Sequence, residues 1–579
     1  MNTSNQNTDT DHRPWLKFYD SGVPRTLVYP ASPLWELVRT SAEAHPTTIA
    51  VDFFGYTFTY AELWDGVQRF AHALQALGIK KGDRVALMLP NCPQFVIAFY
   101  GALLAGATVI AVNPLYTSRE LEQVLKDSAT ETLVMLDAKF PVFREIAATT
   151  QVKRTIVTGI QDYLPFAKQL LYPLKAKKEG TWADIKPAPN IFFFKRLLVK
   201  YSPAPSHVEV RPADDVAMLL YTGGTTGFPK AAMLTHFNLG ANVLQTVAWT
   251  VGIETGKEVI GCALPFSQSY GLTAGLNYGI RIAATLLLFP DFSALEVAKA
   301  IQDKHITLFP GVPTMFAALN ALPTIVKYDL ASIRCCLSGG APLPSHVKQD
   351  FERLTGGKLL EGYGLSESSP VLTANVFHGL VREGSIGIPL PDTDIMILDD
   401  DGKPVATGEI GELAASGPQV MKGYWNRPEE TVRALRSYNG RTWLLTGDMA
   451  RMDEDGCFFL VDRKKDVILV DAYNVFPREV EEVLYEHPAV KEAVVAGIPD
   501  AFHGEYVKAY IVLQTEQTPS EQEIQEFCAE RLAPFKVPKC VEFRAELPKT
   551  MLGKVLRREL VEEERKRLQA NDSKTLERE

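Results

Sequence analysis

The chain has 579 residues, 60 basic and 69 acidic side chains, a formal net charge of −9 and 46% hydrophobic residues, which is too long for one hydrophobic core and fits a globular protein of several layers or domains. The acidic balance, with no basic stripe interleaved with aromatics, argues against nucleic acid as a partner. Seven cysteines without a Cys-x-x-Cys pair imply a reducing compartment and no structural metal.

Residues 1–14 are polar and acidic and lack the basic and apolar regions of a signal peptide, so they read as a disordered leader on a cytoplasmic protein. From about 35 to 150, helical periodicity at 61–77, 93–104 and 118–127 alternates with apolar runs at 84–89, 108–112 and 132–136. That alternation predicts a mostly parallel sheet covered by helices. Residues 95–113 carry no charge, approaching the length of a membrane span. Pro93 suits a helix start, Gly101 and Gly106 interrupt the run, and 107–112 turns to strand formers, so a buried helix followed by a buried strand is expected instead.

Residues 162–201 combine large apolar side chains with cations and almost no acids. Two readings stand: a surface resting peripherally on an anionic bilayer, or an ordinary insertion packed on the body with its lysines solvated.

Short apolar runs at 216–221 and 231–235 predict two strands flanking Tyr221-Thr-Gly-Gly-Thr-Thr-Gly-Phe-Pro-Lys230. Gly223, Gly224 and Gly227 allow a backbone that wraps a polyphosphate, Thr222, Thr225 and Thr226 add hydroxyls, and Lys230 adds a fixed cation. This is not the common mononucleotide P-loop, because Ala231 stands where the magnesium-binding hydroxyl would be. A plain Gly/Thr hairpin turn is the bland alternative.

Strands are expected again at 259–263, 285–289, 306–309 and 335–337, between helices such as 294–304 and 345–355, which makes a second α/β unit. From about residue 392 the texture shifts to short strands with turns at 399–402 and 453–456. Five consecutive charges at 462–466 suit a solvated turn and an interdomain hinge.

Four further clusters follow the phosphate loop: Ser338-Gly-Gly-Ala-Pro-Leu343, Glu361-Gly-Tyr-Gly-Leu-Ser-Glu-Ser368, Leu445-Thr-Gly-Asp448 and Pro548-Lys-Thr-Met-Leu-Gly-Lys-Val555. In this order and spacing the chain resembles the adenylate-forming superfamily of acyl-CoA synthetases, firefly-type luciferases and peptide-synthetase adenylation domains, over about residues 30–560. With the 162–201 insertion, it is most similar to bacterial long-chain fatty acid CoA ligases.

The resemblance implies an α/β fold with a large N-terminal domain, 15–461, made of two helix-covered mixed sheets and a β-rich subdomain. A hinge at 462–466 and a small mobile α+β C-terminal domain, 467–579, would complete it. It implies ATP and CoA as co-substrates, Mg2+ as cofactor, and a medium- or long-chain fatty acid as the acid activated to acyl-AMP. By the same resemblance Ser366 and Glu367 bind magnesium, Tyr363 stacks on adenine with Gly364 beside it, and Gly340, Ala341 and Pro342 line the base. Asp448 and Arg463 would take the ribose, Lys230 the phosphates, and Lys554 the carboxylate and α-phosphate, with Lys465 as the pivot. The charge requirement is physical: two anions about 4 Å apart repel by on the order of 4 kcal/mol at an effective dielectric of 20, so cations must stand between them.

Two positions depart from the family pattern. Gln268 occupies a place usually held by histidine near the acyl carboxylate, and Ala472 replaces a glycine on the pantetheine path. Both leave adenylation intact and keep a second reading open, an acyl-AMP ligase serving a carrier protein or another thiol. A third reading is a non-catalytic lipid- or nucleotide-binding protein. Helices around 242–251, with Trp249, and 310–319 either line an acyl tunnel or pack the core. A homodimer and peripheral attachment at the inner face of a membrane are both compatible with the sequence.

Overall fold

The computed structural model describes residues 13–178, 180, 183, 185–222, 229–470, 473–500, 504–515, 517–549 and 555–576. Its contacts divide the chain into two units, one of residues 1–395 and 415–444, the other of 396–414 and 445–579.

The first unit contains an eight-stranded sheet in the order Gly423–Tyr424, Lys230–Thr235, Val216–Thr222, Thr108–Ala111, Arg84–Met88, Thr132–Leu136, Arg154–Thr158, Ile191–Phe193. Pairing is parallel from Val216–Thr222 to the Ile191–Phe193 edge. Those parallel strands are apolar almost throughout and largely buried, as a sheet covered on both faces requires. The uncharged run splits as expected. A helix, Pro93–Leu104, starts on its proline and buries every residue except Leu104, and the buried strand Thr108–Ala111 follows. Gly101 lets that helix close on the neighbouring helix Tyr60–Ala76, since a Cβ there would lie 2.9 Å from the Phe70 ring. Thr59 and Glu62 cap Tyr60–Ala76 reciprocally, so its start is set locally. Among the described residues no helix is long and apolar enough to cross a membrane.

The insertion has two parts. Ile191–Phe193 joins the sheet edge and Phe194–Lys200 packs behind it with Phe194 and Leu197 buried, whereas the helix Phe166–Lys178 carries much of its apolar surface exposed.

Two four-stranded sheets complete this unit. One runs Val259–Cys262, Thr285–Leu288, Ile49–Phe53, Tyr56–Thr59, and the other Cys335–Ser338, Lys358–Gly364, Val371–Ala374, Ile388–Pro389. The strand expected at 306–309 does not form. Leu308 makes only single bridges, to Ile260 and to Cys335, because Pro310 and Gly311 follow at once and no ladder extends. The expected helices 294–304 and 345–355 are present as Ala294–Lys304 and Ser345–Thr355. The α/β expectation holds; where two helix-covered mixed sheets were expected, the first unit has three, of eight, four and four strands.

In the second unit a sheet of Tyr473–Val475, Ile468–Val470, Gly504–Leu513 and Val490–Asp500, with Cys540–Phe543 parallel on Gly504–Leu513, carries helices Pro477–Tyr485 and Glu521–Ala529 over an aliphatic core of Val480, Leu484, Val495, Ile511 and Ile524. This is the α+β region expected at the C-terminal end. Ahead of it, the strand Arg441–Met452 pairs antiparallel with Phe458–Arg463, with Asp448 directly opposite Arg463.

Candidate functional site

In the first unit the strands Val216–Thr222 and Lys230–Thr235 pair antiparallel, Thr222 opposite Lys230, and the Thr222 hydroxyl donates to the Lys230 carbonyl at 3.3 Å. The loop therefore joins two strands, as its flanks predict, and Lys230 stands at the exit of the turn. Gly223, Gly224, Thr225, Thr226 and Gly227 lie outside the described residues.

A short strand from almost two hundred residues downstream, Gly423–Tyr424, pairs on the outer side of Lys230–Thr235 with Tyr424 opposite Ala232. It brings in groups that sequence reasoning missed. The Lys230 ammonium lies 5.5 Å from the centre of the Tyr424 ring and forms an ion pair with Glu430. The Tyr424 hydroxyl donates to the Glu367 carboxylate at 2.8 Å. Burial and the nearby Glu367 charge push the Tyr424 phenol well above its ordinary range, so it stays protonated and donates. The run Gly423-Tyr-Trp-Asn-Arg-Pro-Glu-Glu430, aromatic residues beside a glycine and then a proline leading acids into a helix, was the signal available.

Glu367 and Ser366 occupy a single 3-10 turn, Ser366–Ser368, and the backbone N–H of Met421 donates to the Glu367 carbonyl at 2.8 Å. The Ser366 hydroxyl is 3.3 Å from that of Ser269. Half-buried Gln268 is the neighbour of Ser269, so the turn that carries the histidine-to-glutamine departure abuts the turn that carries the carboxylate. As a donor set for a hard cation the site fits: one carboxylate and adjacent hydroxyls suit Mg2+, which keeps several waters and takes the rest of its shell from substrate phosphates. Among the described residues no group of three or more His, Cys, Asp or Glu side chains could hold a metal ion by themselves.

The adenine-lining residues expected from the sequence follow neighbouring parallel strands. Cys335–Ser338 runs in register with Lys358–Gly364, Ser338 opposite Glu361, so Gly340, Ala341 and Pro342 leave one strand end where Tyr363 and Gly364 leave the next. The carboxyl ends of adjacent parallel strands are the usual crevice for a nucleotide. Leu343 donates its N–H to the Glu361 carboxylate at 3.2 Å, which fixes the loop. Gly364 has to be glycine, because a Cβ there would lie 1.9 Å from the Pro370 carbonyl oxygen. Trp249 is buried, donates its indole N–H to the Asn375 carbonyl at 3.1 Å and meets Tyr19 edge-on.

In the second unit Asp448 and Arg463 meet across their strand pair, with 3.2 Å between Arg463 Nε and Asp448 Oδ1. Asp448 is positioned by its own loop: Thr446 donates to the Leu413 carbonyl at 2.7 Å and accepts from the Asp448 N–H. Lys465 follows in the 3-10 turn Lys464–Asp466, its ammonium held below the ordinary lysine range mainly by desolvation, with Arg463 and Arg557 adding repulsion. Arg557, another residue missed by sequence reasoning, pairs with Glu481 at 2.7 Å, Asp466 at 3.1 Å and Asp462 at 3.6 Å. Lys554 and Ala472 lie outside the described residues. Lys549 and Val555 form an antiparallel bridge, and Leu556 N–H donates to the Pro548 carbonyl at 2.8 Å.

The model of the AMP-binding enzyme family matches residues 38–425, and that of the AMP-binding enzyme C-terminal domain matches 479–554. The chain is 46% identical to a long-chain-fatty-acid–CoA ligase of Bacillus subtilis (strain 168), over 95% of this chain and 98% of that one. It is 39% identical to the long-chain-fatty-acid–CoA ligase of Yersinia pestis, again over 95% and 98%. Among solved structures it is similar to ATP-bound MatB from Rhodopseudomonas palustris, with a TM-score of 0.80 at 28% identity over 92% of this chain and 98% of that one. An anthranilate CoA ligase in complex with anthranoyl-AMP gives a TM-score of 0.79 at 26% identity over 92% and 97%. The resemblance drawn from the motifs is borne out over nearly the full length.

Proposed function

Because the chain belongs to the AMP-binding enzyme family, we propose that it is an ATP-dependent ligase that joins a medium- or long-chain fatty acid to CoA through an acyl-adenylate. The observation that carries this reading is Tyr424, a half-buried phenol set between the Lys230 ammonium and the Glu367 carboxylate at the base of the phosphate-loop hairpin. It pairs a cation suited to phosphate oxygens with a carboxylate suited to a hard metal ion. The similarity to long-chain-fatty-acid–CoA ligases over 95% of the chain supports the acyl class.

In the first half-reaction a carboxylate oxygen of the acid attacks the α-phosphorus of ATP. The new P–O bond forms as the α–β bridging bond breaks, and pyrophosphate leaves with the electron pair. Lys230 exchanges its Glu430 partner for phosphate oxygens, which places its charge where the two anions meet. When bound at Glu367 and Ser366, Mg2+ supplies the further positive charge on the phosphates. Asp448 accepts from the ribose hydroxyls while Arg463, paired with it across the strands, orients that carboxylate and donates to the same sugar. Lys554 reaches the acid and the α-phosphate in this state. In the second half-reaction the CoA sulfur attacks the acyl carbonyl carbon, the C–S bond forms, the C–O bond to AMP breaks, and the thiol proton passes to solvent. The segment after the hinge at 462–466 acts as a lid that turns about Lys465 between the two steps. Contact of the 162–201 insertion with a membrane, where long-chain acids partition, belongs to the same reading.

The test is mass spectrometry of products from purified protein given ATP, Mg2+, CoA and fatty acids of graded length. Acyl-CoA and AMP are expected, with the longer acids preferred. Acyl-AMP without acyl-CoA would overturn CoA as acceptor, and no pyrophosphate release would overturn the ligase reading.

A further inference from the structure

The phosphate-loop hairpin is clipped along its outer strand by one short segment, residues 423–434. The strand Gly423–Tyr424 lies along Lys230–Thr235, and two flanking backbone bonds extend the pairing: Lys422 N–H donates to the Met233 carbonyl at 3.0 Å and Trp425 N–H to the Ala231 carbonyl at 2.8 Å. The helix Pro428–Ala434 follows and is tied back to that strand. Its Thr431 hydroxyl accepts the Tyr424 N–H at 2.9 Å and donates to the Arg427 carbonyl at 2.9 Å. Arg427 and Glu430 are thereby fixed over the hairpin, three residues apart.

Polar groups of alternating sign run through this clip from one end of the hairpin to the other. Tyr221, in the strand that enters the loop, donates its hydroxyl to Asp127 at 2.8 Å. Asp127 takes the Arg427 guanidinium at 2.9 Å, and its backbone carbonyl takes the Trp425 indole N–H at 3.1 Å. Arg427 Nε stands 3.9 Å from the Glu430 carboxylate, which pairs closely with the Lys230 ammonium at the exit of the loop. Side-chain exposure runs from 13% at Asp127 to 32% at Arg427, so solvent screens these charges in part. Glu430 therefore faces two cations, the nearer of which is the one suited to phosphate oxygens. A polyphosphate that recruits Lys230 has to displace that carboxylate, and Arg427 is placed to receive it.

We propose that Glu430 is the counter-ion that parks Lys230 in the nucleotide-free protein, and that Arg427, braced by Asp127, is the positioning residue that takes Glu430 over when ATP arrives. The pair then sets the affinity for ATP. Without Glu430 the ammonium is free to meet phosphate at once. Without Arg427 the carboxylate keeps its hold on Lys230, because the second cation it faces is gone. The inference rests on the ligase reading in one respect, that ATP is the ligand.

Calorimetric titration of the full chain with Mg2+ and α,β-methylene-ATP, which cannot release pyrophosphate, tests this. Glu430→Gln should tighten binding by about fivefold, and Arg427→Met should weaken it by about fivefold. A role for Glu430 in packing alone predicts looser binding, so the sign of the first change already separates the two. The double variant separates relay from simple charge. Two side chains that act on the nucleotide independently would add, and the double variant would return to the parent affinity. If Arg427 acts through Glu430, the double variant should bind as tightly as Glu430→Gln alone. Arg427→Gln, similar in length and uncharged, repeats the measurement where Arg427→Met does not fold. Unchanged or weaker binding by Glu430→Gln, or additivity in the double variant, overturns the proposal. A parent that binds the analogue yet forms no acyl-CoA overturns the ligase reading and leaves the Glu430 result standing, whereas a parent that binds no analogue overturns both.

Discussion

Tyr424 is the side chain that stands between the Lys230 ammonium and the Glu367 carboxylate. Its hydroxyl donates to a carboxylate, and a hydrogen bond to a charged group contributes about 1.5–3 kcal/mol. Tyr424→Phe should therefore lower the rate of pyrophosphate exchange by roughly tenfold to a hundredfold and raise the Mg2+ concentration needed for half-maximal rate, while leaving the fold intact because the ring stays packed. Titrating Mg2+ in both proteins checks it, and an unchanged Mg2+ requirement would show that the phenol only packs. A second residue sets a pH limit on the fold. His236 is buried, accepts the Leu34 N–H at Nδ1 and has its pKa lowered to about 4, chiefly by desolvation. The neutral ring is native, so this contribution is complete above the unfolded value near 6.5 and is lost as pH falls from there to about 4. The loss amounts to about 3 kcal/mol. Urea unfolding of the parent and of His236→Gln at pH 7 and pH 5 should show a steeper fall for the parent.

At the scale of elements, motif-bearing loops were legible because each sits at the end of a strand whose apolar run announces it. The phosphate loop between 216–222 and 230–235, and the pair of loops after Cys335–Ser338 and Lys358–Gly364, are local signals of this kind. Asp448 and Arg463 were assigned to the ribose from the family pattern, and antiparallel register puts them opposite each other. What the sequence hid depends on pairing over long separations. Tyr424 reaches Lys230 only because a two-residue strand adds to a distant hairpin, and no periodicity marks so short an element. Arg557 was missed for the same reason. It starts the last helix, Arg557–Leu576, yet its three carboxylate partners come from 462–481. Burial raises Asp462 and Glu481 above the usual carboxylate range even though the guanidinium opposes it. Arg557→Met should consequently destabilise the second unit by about 3–5 kcal/mol at neutral pH, because it strands buried charge. The loss should shrink as pH falls toward 5, where the carboxyls, pushed higher still without their partner, take up protons. Hydrogen exchange in Val490–Asp500 and Gly504–Leu513 reads the effect directly.

For the whole molecule, the two half-reactions make different demands on the same chain. The proposed mechanism gives adenylation the charge of Lys554 at the α-phosphate, and loss of that charge should cost about 3–4 kcal/mol, a fall of roughly 10²–10³ in pyrophosphate exchange for Lys554→Ala. Thioester formation from an acyl-adenylate already made has no such need, so the same variant supplied with synthetic acyl-AMP and CoA should form acyl-CoA at close to the parent rate. Lys465 predicts the converse. It sits inside the short 3-10 turn Lys464–Asp466, where a φ near −65° is already helical, but a proline there restricts Lys464 and removes the freedom a pivot uses. Lys465→Pro should hold one arrangement of the hinge, leaving pyrophosphate exchange within about twofold and slowing CoA transfer by more than about tenfold. Lysine chemistry alone does not separate the halves in this way, so Lys465→Ala, which removes the charge and keeps the backbone free, serves as the control and should lower transfer far less. If Ala and Pro slow transfer equally, the ammonium and not the pivot is what position 465 contributes; if Pro instead abolishes exchange, the hinge is required in the first step and the order of the lid motion is reversed.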